Sequence, residues 1–299
     1  MFSTIVACIG AVGGIFTVLA FFPTTLAWLE QRRQGRRTEA PPGSIPKITI
    51  ASASKSEWRC GIYDYPPLSH WPQKHGARPV GPLVELAREV TNSLGKTAKF
   101  EIFSYEGFYK GGDSIPDMVV GMFRTNRRAE RVSFSKPFYK IGLQGICRRH
   151  QEGDLLSGLR EGNLRAAVYY GEVGWEFAED ELKDACEQNR IAKLVGGHQM
   201  DTMNHLVQGT YDIVIMDWVA CENFLREEEN RAKFRIAFKE PLDKFDTCIG
   251  VRPENKEFLP AIDKAIEQIR NSQDYLDLEA SALKGFEHII VPRALRARH

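Results

Sequence analysis

The chain carries almost no net charge: 40 lysines and arginines against 39 aspartates and glutamates leave +1 at pH 7. It also has no basic stripe with interleaved aromatic rings, so no nucleic-acid partner is expected. Metal-ligand spacing is missing too. None of the six cysteines (Cys8, Cys60, Cys147, Cys186, Cys221, Cys248) stands in a Cys-x-x-Cys pair, and the seven histidines are scattered, so neither a metal nor another cofactor is expected. No Ser-His-Asp set shows itself, and Gly111-Gly112 precedes an apolar run instead of following one, the reverse of a phosphate-cradling loop. What remains is a globular chain of 299 residues, 43% apolar and 26% charged, long enough for one two-lobed domain or two small ones.

Charge is absent locally as well. Residues 5–29, IVACIGAVGGIFTVLAFFPTTLAWL, hold no charged side chain; as a helix they would extend about 37 Å against a hydrocarbon core of about 30 Å. Residues 1–30 are therefore expected to supply one transmembrane helix. A cleaved secretory signal wants a basic segment before the apolar run and a small-residue site after it, and neither is present. Arg32, Arg33, Arg36 and Arg37 follow the run while no Lys or Arg precedes it, so the positive-inside rule puts the body on the cytoplasmic side of the membrane. Residues 31–48, QRRQGRR and then APPGSIP, read as a basic, proline-rich linker. Five cysteines in the body, an odd number, agree with a reducing compartment. Against this, Cys147 and Cys248 each fall in an apolar segment, and pairing between them would argue for the outside.

The stretch that organises the rest is Asp117 to Tyr139, DMVVGMFRTNRRAERVSFSKPFY. After the turn GGDSIP, a short apolar run reads as a buried strand ending at Gly121, and Asn126, Arg127 and Arg128 open a short helix just past Thr125. Backbone N–H groups and guanidinium charge then converge at the strand's carboxyl end, a place for an anion. Taken alone, the same run also reads as a solvated basic turn. A weaker copy comes 95 residues later, Asp212 against Asp117: LVQGTYDIVIMDWVACENF again runs turn, Asp, apolar strand, then a polar residue opening a helix. Asp117 and Asp212 read as strand-edge turn residues. Past the second strand stands Asp217. One half ending in a cation and the other in an anion suits a zwitterion held between them.

Earlier in the chain, Trp58 to Tyr63 is strand-like and runs into Tyr65-Pro66-Pro67, a stiff turn that holds an aromatic ring at a strand end. Leu83, Leu86, Ala87, Val90 and Leu94 recur at helical spacing and stop at Gly95, and Ala98 to Ser104 is a second strand. Strand, helix, strand, then the Asp117 strand is the order of an α/β fold with mainly parallel sheets.

With Gly81, Asp117, Thr125-Asn126-Arg127-Arg128 and Phe134-Ser135-Lys136-Pro137-Phe138-Tyr139 in view, residues 56 to about 285 resemble the type II periplasmic binding proteins. The likeness is specifically to the family 3 solute-binding proteins of polar amino acid transport. It implies two α/β lobes, residues 49–147 with 248–285 and residues 148–247, closing on a small molecule by bending near 147 and 248. A tail, 286–299, lies outside the family pattern, either as a partner strand or frayed. The resemblance further implies that Arg128 holds an α-carboxylate with Thr125 on the same wall, that Asp217 takes the α-ammonium, and that Tyr65 covers the ligand's side chain. Two charge-assisted bonds at about 1.5–3 kcal/mol each fall short of the roughly 8 kcal/mol of a micromolar ligand, so hydroxyls and backbone must add to them.

Two departures from the family pattern bear on the site. Phe123 stands where a Ser or Thr commonly donates to the carboxylate, and Glu172-Val173 stands where Thr-Thr opens a helix, so the Glu172 carboxylate repels a ligand anion. The expectation is a membrane-anchored binder of an amino-acid-like polar molecule, sensing or serving transport through a membrane-protein partner. A ligand-free structural or regulatory module is the alternative, and a dehydratase-like enzyme using Glu172 as a general acid is a third reading.

Overall fold

The computed structural model describes residues 56–72, 77–196 and 201–292. The expected membrane helix and linker, residues 1–48, and the end of the tail lie outside the described residues. Among the described residues no helix is long and apolar enough to cross a membrane. They all fall within one compact unit, Ile45–His299.

β1 (Glu57–Ile62) leads through α1 (Pro82–Ser93) to β2 (Thr97–Ile102), and α2 (Tyr105–Lys110) leads to β3 (Met118–Phe123); the three pair in parallel in the order β2, β1, β3. The local causes are plain. Every residue of β3 is buried, as a central parallel strand covered on both faces must be, and α1 starts with Pro82 in its first turn and turns Leu83, Leu86, Ala87 and Val90 inward. After α3 (Asn126–Ala129), β4 (Ser133–Phe134), β5 (Tyr139–Arg148) and α4 (Leu155–Glu161), the design repeats. β6 (Ala166–Tyr169), α5 (Val173–Glu181), β7 (Ile191–Leu194), α6 (Asp201–Gln208) and β8 (Ile213–Asp217) give a second parallel trio in the order β7, β6, β8. The two aspartates that announced the repeat do the same work in each trio. Asp117 Oδ2 accepts the N–H of Arg59 on β1 at 2.9 Å, and Asp212 Oδ2 accepts the N–H of Arg165 just before β6 at 2.8 Å.

α7 (Trp218–Leu225), β9 (Phe234–Ile236), β10 (Asp243–Val251), α8 (Leu259–Arg270), α9 (Gln273–Ala282) and β11 (Ile290–Pro292) follow. The sheet order is β2-β1-β3-β10-β5-β8-β6-β7, with β10 antiparallel to β3 and β5, and β5 antiparallel to β8. The expected mainly parallel sheet is therefore a mixed one. Parallel pairing needs a helix-sized crossover; each trio has them, whereas β5 and β10 are long strands that span the two trios and run against their neighbours. They lie side by side over Tyr139–Leu143 and Asp243–Thr247, after which β5 joins β8 and β10 joins β3. Cys147 and Cys248 sit beyond opposite ends of that shared ladder, opposite Ile213 and Met122 respectively, and all five described thiols are free. The suggested pairing of these two cysteines is overturned by the register.

The tail continues the sheet as far as it is described. β11 pairs with β5 at Tyr139–Ile141, and Phe286, Ile289 and Ile290 are buried.

Candidate functional site

Open α/β sheets bind ligands beyond the carboxyl ends of their strands, where the strand order reverses. Here both trios aim those ends at one place. Past β1 come Tyr63 and Tyr65; at the end of β3 come Phe123, Thr125 and Arg128; past β6 come Gly171 and Glu172; β8 ends on Asp217.

Thr125 is the N-cap of α3, its Oγ1 accepting the backbone N–H of Arg128 at 3.2 Å, and this turn sends the Arg128 side chain inward. That side chain is completely buried, and every nitrogen of its guanidinium is engaged. Nε donates to Glu176 Oε1 at 2.7 Å, Nη1 to the Phe123 carbonyl at 3.2 Å and Nη2 to the Gly171 carbonyl at 2.9 Å, while the Tyr105 ring centroid lies 4.5 Å from its central carbon. Glu176 and Gly171 belong to the half opposite Arg128. Where the sequence suggested a ligand carboxylate on Arg128, the protein supplies Glu176, which also accepts the Tyr109 hydroxyl at 3.0 Å. Phe123 presents its carbonyl to Arg128 and packs its ring against Phe245.

Asp217 caps α7, its Oδ1 accepting the Ala220 N–H at 3.0 Å, and the same oxygen accepts the Tyr65 hydroxyl from the other half. Burial raises the Asp217 carboxyl; the bonds from Tyr65 and Ala220 oppose the shift. Tyr65 thus meets Asp217 directly through its hydroxyl. Glu172 occupies the N-cap position of α5 but caps nothing, and among the described residues no hydrogen bond holds its carboxyl. It is 8% exposed. Burial, opposed by Arg128 and reinforced by Asp217 and Glu176, pushes its pKa up to about 8. The six residues singled out in the sequence therefore lie where the halves meet: Tyr65 bonds Asp217, Thr125 and Phe123 hold Arg128, and Glu172 feels the charges of Arg128 and Asp217.

Three residues of the site escaped sequence reasoning: Glu176, Tyr105 and Tyr109. Each had a helical signal. Glu176 stands four residues after Glu172, on the same side of α5, and Tyr105 and Tyr109 share the i, i+4 face of α2. They carry the contact between halves: the Tyr109 ring lies 5.4 Å from Trp175 and 6.0 Å from Tyr170, and Arg127 lies over Trp175 at 4.7 Å and bonds Asp180 at 3.2 Å. Polar capacity is left over. The Trp175 indole nitrogen is buried with no hydrogen-bond partner among the described residues.

Gly171 sits against the other half, its carbonyl on Arg128 and its Cα facing Tyr105 and Tyr109. Its φ is +83°, and a Cβ there would lie 2.4 Å from Tyr105 Cβ. Gly171→Ala is therefore expected to destabilise the protein by about 1–3 kcal/mol and to hold the halves apart, read as an increased radius of gyration in small-angle scattering. Unchanged scattering would mean that closure does not rest on this contact.

Two α/β halves joined by crossing strands, with facing strand ends that enclose buried charges, define the class of two-lobed periplasmic-binding-protein-like folds. Within it, residues 59–284 match the bacterial extracellular solute-binding proteins, family 3, and the chain belongs to that family. Among curated proteins none matches it. Solved structures share the fold at low identity. The solute receptor for L-cysteine of Neisseria gonorrhoeae has a TM-score of 0.65 at 16% identity, covering 80% of this chain and 96% of its own. A histidine kinase sensor domain with similarity to periplasmic binding proteins has 0.64 at 19%, covering 79% and 97%. An amino acid ABC transporter substrate-binding protein from Streptococcus pneumoniae bound to L-arginine has 0.61 at 18%, covering 80% and 96%.

Proposed function

We propose that the protein is a membrane-anchored solute-binding protein that holds a small amine-bearing, amino-acid-like molecule between its two halves. Arg128, Asp217, Tyr65, Thr125, Phe123 and Glu172 line the site. The observation that carries this reading is the convergence of four strand ends, two from each half, on a buried guanidinium and buried carboxyls. Fold relatives that bind L-cysteine and L-arginine support it. Asp217 with Tyr65 suits an ammonium. Arg128 reaches a ligand carboxylate only by giving up Glu176. Closure occurs by bending of β5 and β10. Residues 5–29 anchor the chain, with the body on the cytoplasmic side, and the output passes to a membrane partner, as suits a fold that also serves a kinase sensor. Protease added to intact cells leaves the body uncut on this reading.

The bonds of Arg128 to Glu176 and of Tyr65 to Asp217 favour a second reading, a module that closes on itself and holds no ligand. A thermal-shift screen of the full chain against amino acids, amines and nucleotides separates the two. The first reading expects a ligand that raises the melting temperature and loses at least about tenfold in affinity with Asp217→Ala. A ligand bound equally well by Asp217→Ala and Arg128→Ala puts the site elsewhere, and no shift with any compound supports the closed module.

A further inference from the structure

We propose that the ligand of this cleft is an organic cation without a carboxylate, a primary amine or diamine, in place of an amino acid; the proposal rests on the cleft-binding reading above and narrows it. A zwitterion needs an open cationic group and an open anionic one. The cationic group is closed. Arg128 is spent on Glu176 at 2.7 Å and on the Phe123 and Gly171 carbonyls at 3.2 and 2.9 Å, with Tyr105 against its plane. A ligand carboxylate that took the guanidinium would strip Glu176 of its cation inside the protein, where an unpaired charge is strongly unfavourable.

The anionic side is the open one. Glu172 is more than nine-tenths buried, with no hydrogen bond to its carboxyl among the described residues. It directly follows Gly171, whose carbonyl holds Arg128 of the other half, and it feels the charges of Arg128, Asp217 and Glu176. Asp217 has a tyrosine hydroxyl and a helix N-terminus but, among the described residues, no ion pair. One guanidinium therefore faces three carboxyls. An added ammonium moves that balance toward neutrality and offers N–H donors to Glu172 and Asp217. A zwitterion leaves the imbalance as it was and sets its own carboxylate among the others.

Isothermal calorimetry on the full chain tests this with three matched pairs: L-arginine and agmatine, L-lysine and cadaverine, L-ornithine and putrescine. Within each pair the molecules differ only in the α-carboxylate. At least one amine is expected to bind at least about tenfold more tightly than its parent amino acid. Glu172→Gln and, separately, Asp217→Asn are each expected to weaken that amine by about tenfold or more, with melting at pH 7 checking that the variants fold. Glu176→Gln, which loosens the hold on Arg128, is expected to shift preference toward the amino acid of the pair. Tighter binding of the amino acid in each pair that binds overturns the proposal and leaves cleft binding standing. No binding by any of the six compounds likewise overturns the proposal alone, whereas amine binding unchanged in both carboxyl variants puts the site elsewhere and overturns both.

Discussion

Arg128→Ala is expected to remove about 3–5 kcal/mol of stability, the range for breaking a buried ion pair from one side. The substitution deletes three hydrogen bonds, at 2.7, 3.2 and 2.9 Å, and two of them join the halves. It leaves Glu176 buried with only the Tyr109 hydroxyl and takes from Glu172 the one charge that opposes its upward shift. The Gly171 and Phe123 carbonyls lose their donor at the same time. In a unit of this size the melting temperature should fall by on the order of 10 °C. Urea titrations of Arg128→Ala, Glu176→Ala and the double variant give the decisive number. If the pair forms in solution, the double variant is less destabilised than the sum of the singles by more than about 1 kcal/mol, because the second substitution removes a charge the first had stranded. Additive losses would sink the closed arrangement, since they mean the two side chains do not meet.

That contact also marks where the sequence stopped being readable. The repeat could be seen because its cause is local: an Asp before an apolar run pins the neighbouring strand, and Asp117 and Asp212 do so at 2.9 and 2.8 Å. Arg128 and Asp217 could be placed because Asp217 ends a buried strand and Arg128 lies in the short helix just past one, and the chain past a strand end is positioned by that strand. Glu176 could not. On α5 it sits among Glu172, Glu179, Asp180 and Glu181, and a helix rich in carboxylates reads as a solvated face. Which of these is buried depends on how far the opposite half closes over the helix, a relation between residues 48 apart in sequence. Sheet direction failed for a related reason. The apolar stretches of β5 and β10 give strand character but carry no sign of parallel or antiparallel pairing, and their direction follows from spanning two trios.

The closed cleft also makes stability depend on pH in an uncommon direction. The Glu172 carboxyl lies at about 8 in the folded chain against an ordinary 4.5, so between those values the folded state binds a proton that the unfolded state has released. Stability therefore falls as pH rises. The contribution is fully present below about pH 4.5 and lost by the time pH passes about 8; over that span it amounts to at most about 5 kcal/mol. Asp217, raised by burial, acts with the same sign at the lower end of the window. Glu172→Gln keeps the shape and removes the titration. Its urea midpoint should match wild type near pH 5 and exceed it clearly at pH 8 to 9, with the two curves diverging through pH 6 and 7. Parallel curves at all these pH values would mean that the Glu172 carboxyl is hydrated and that the halves stand open in solution. A bound cation should flatten the wild-type curve without changing that of Glu172→Gln, because an ammonium beside the carboxylate gives the folded state the charge balance that it otherwise reaches by holding a proton.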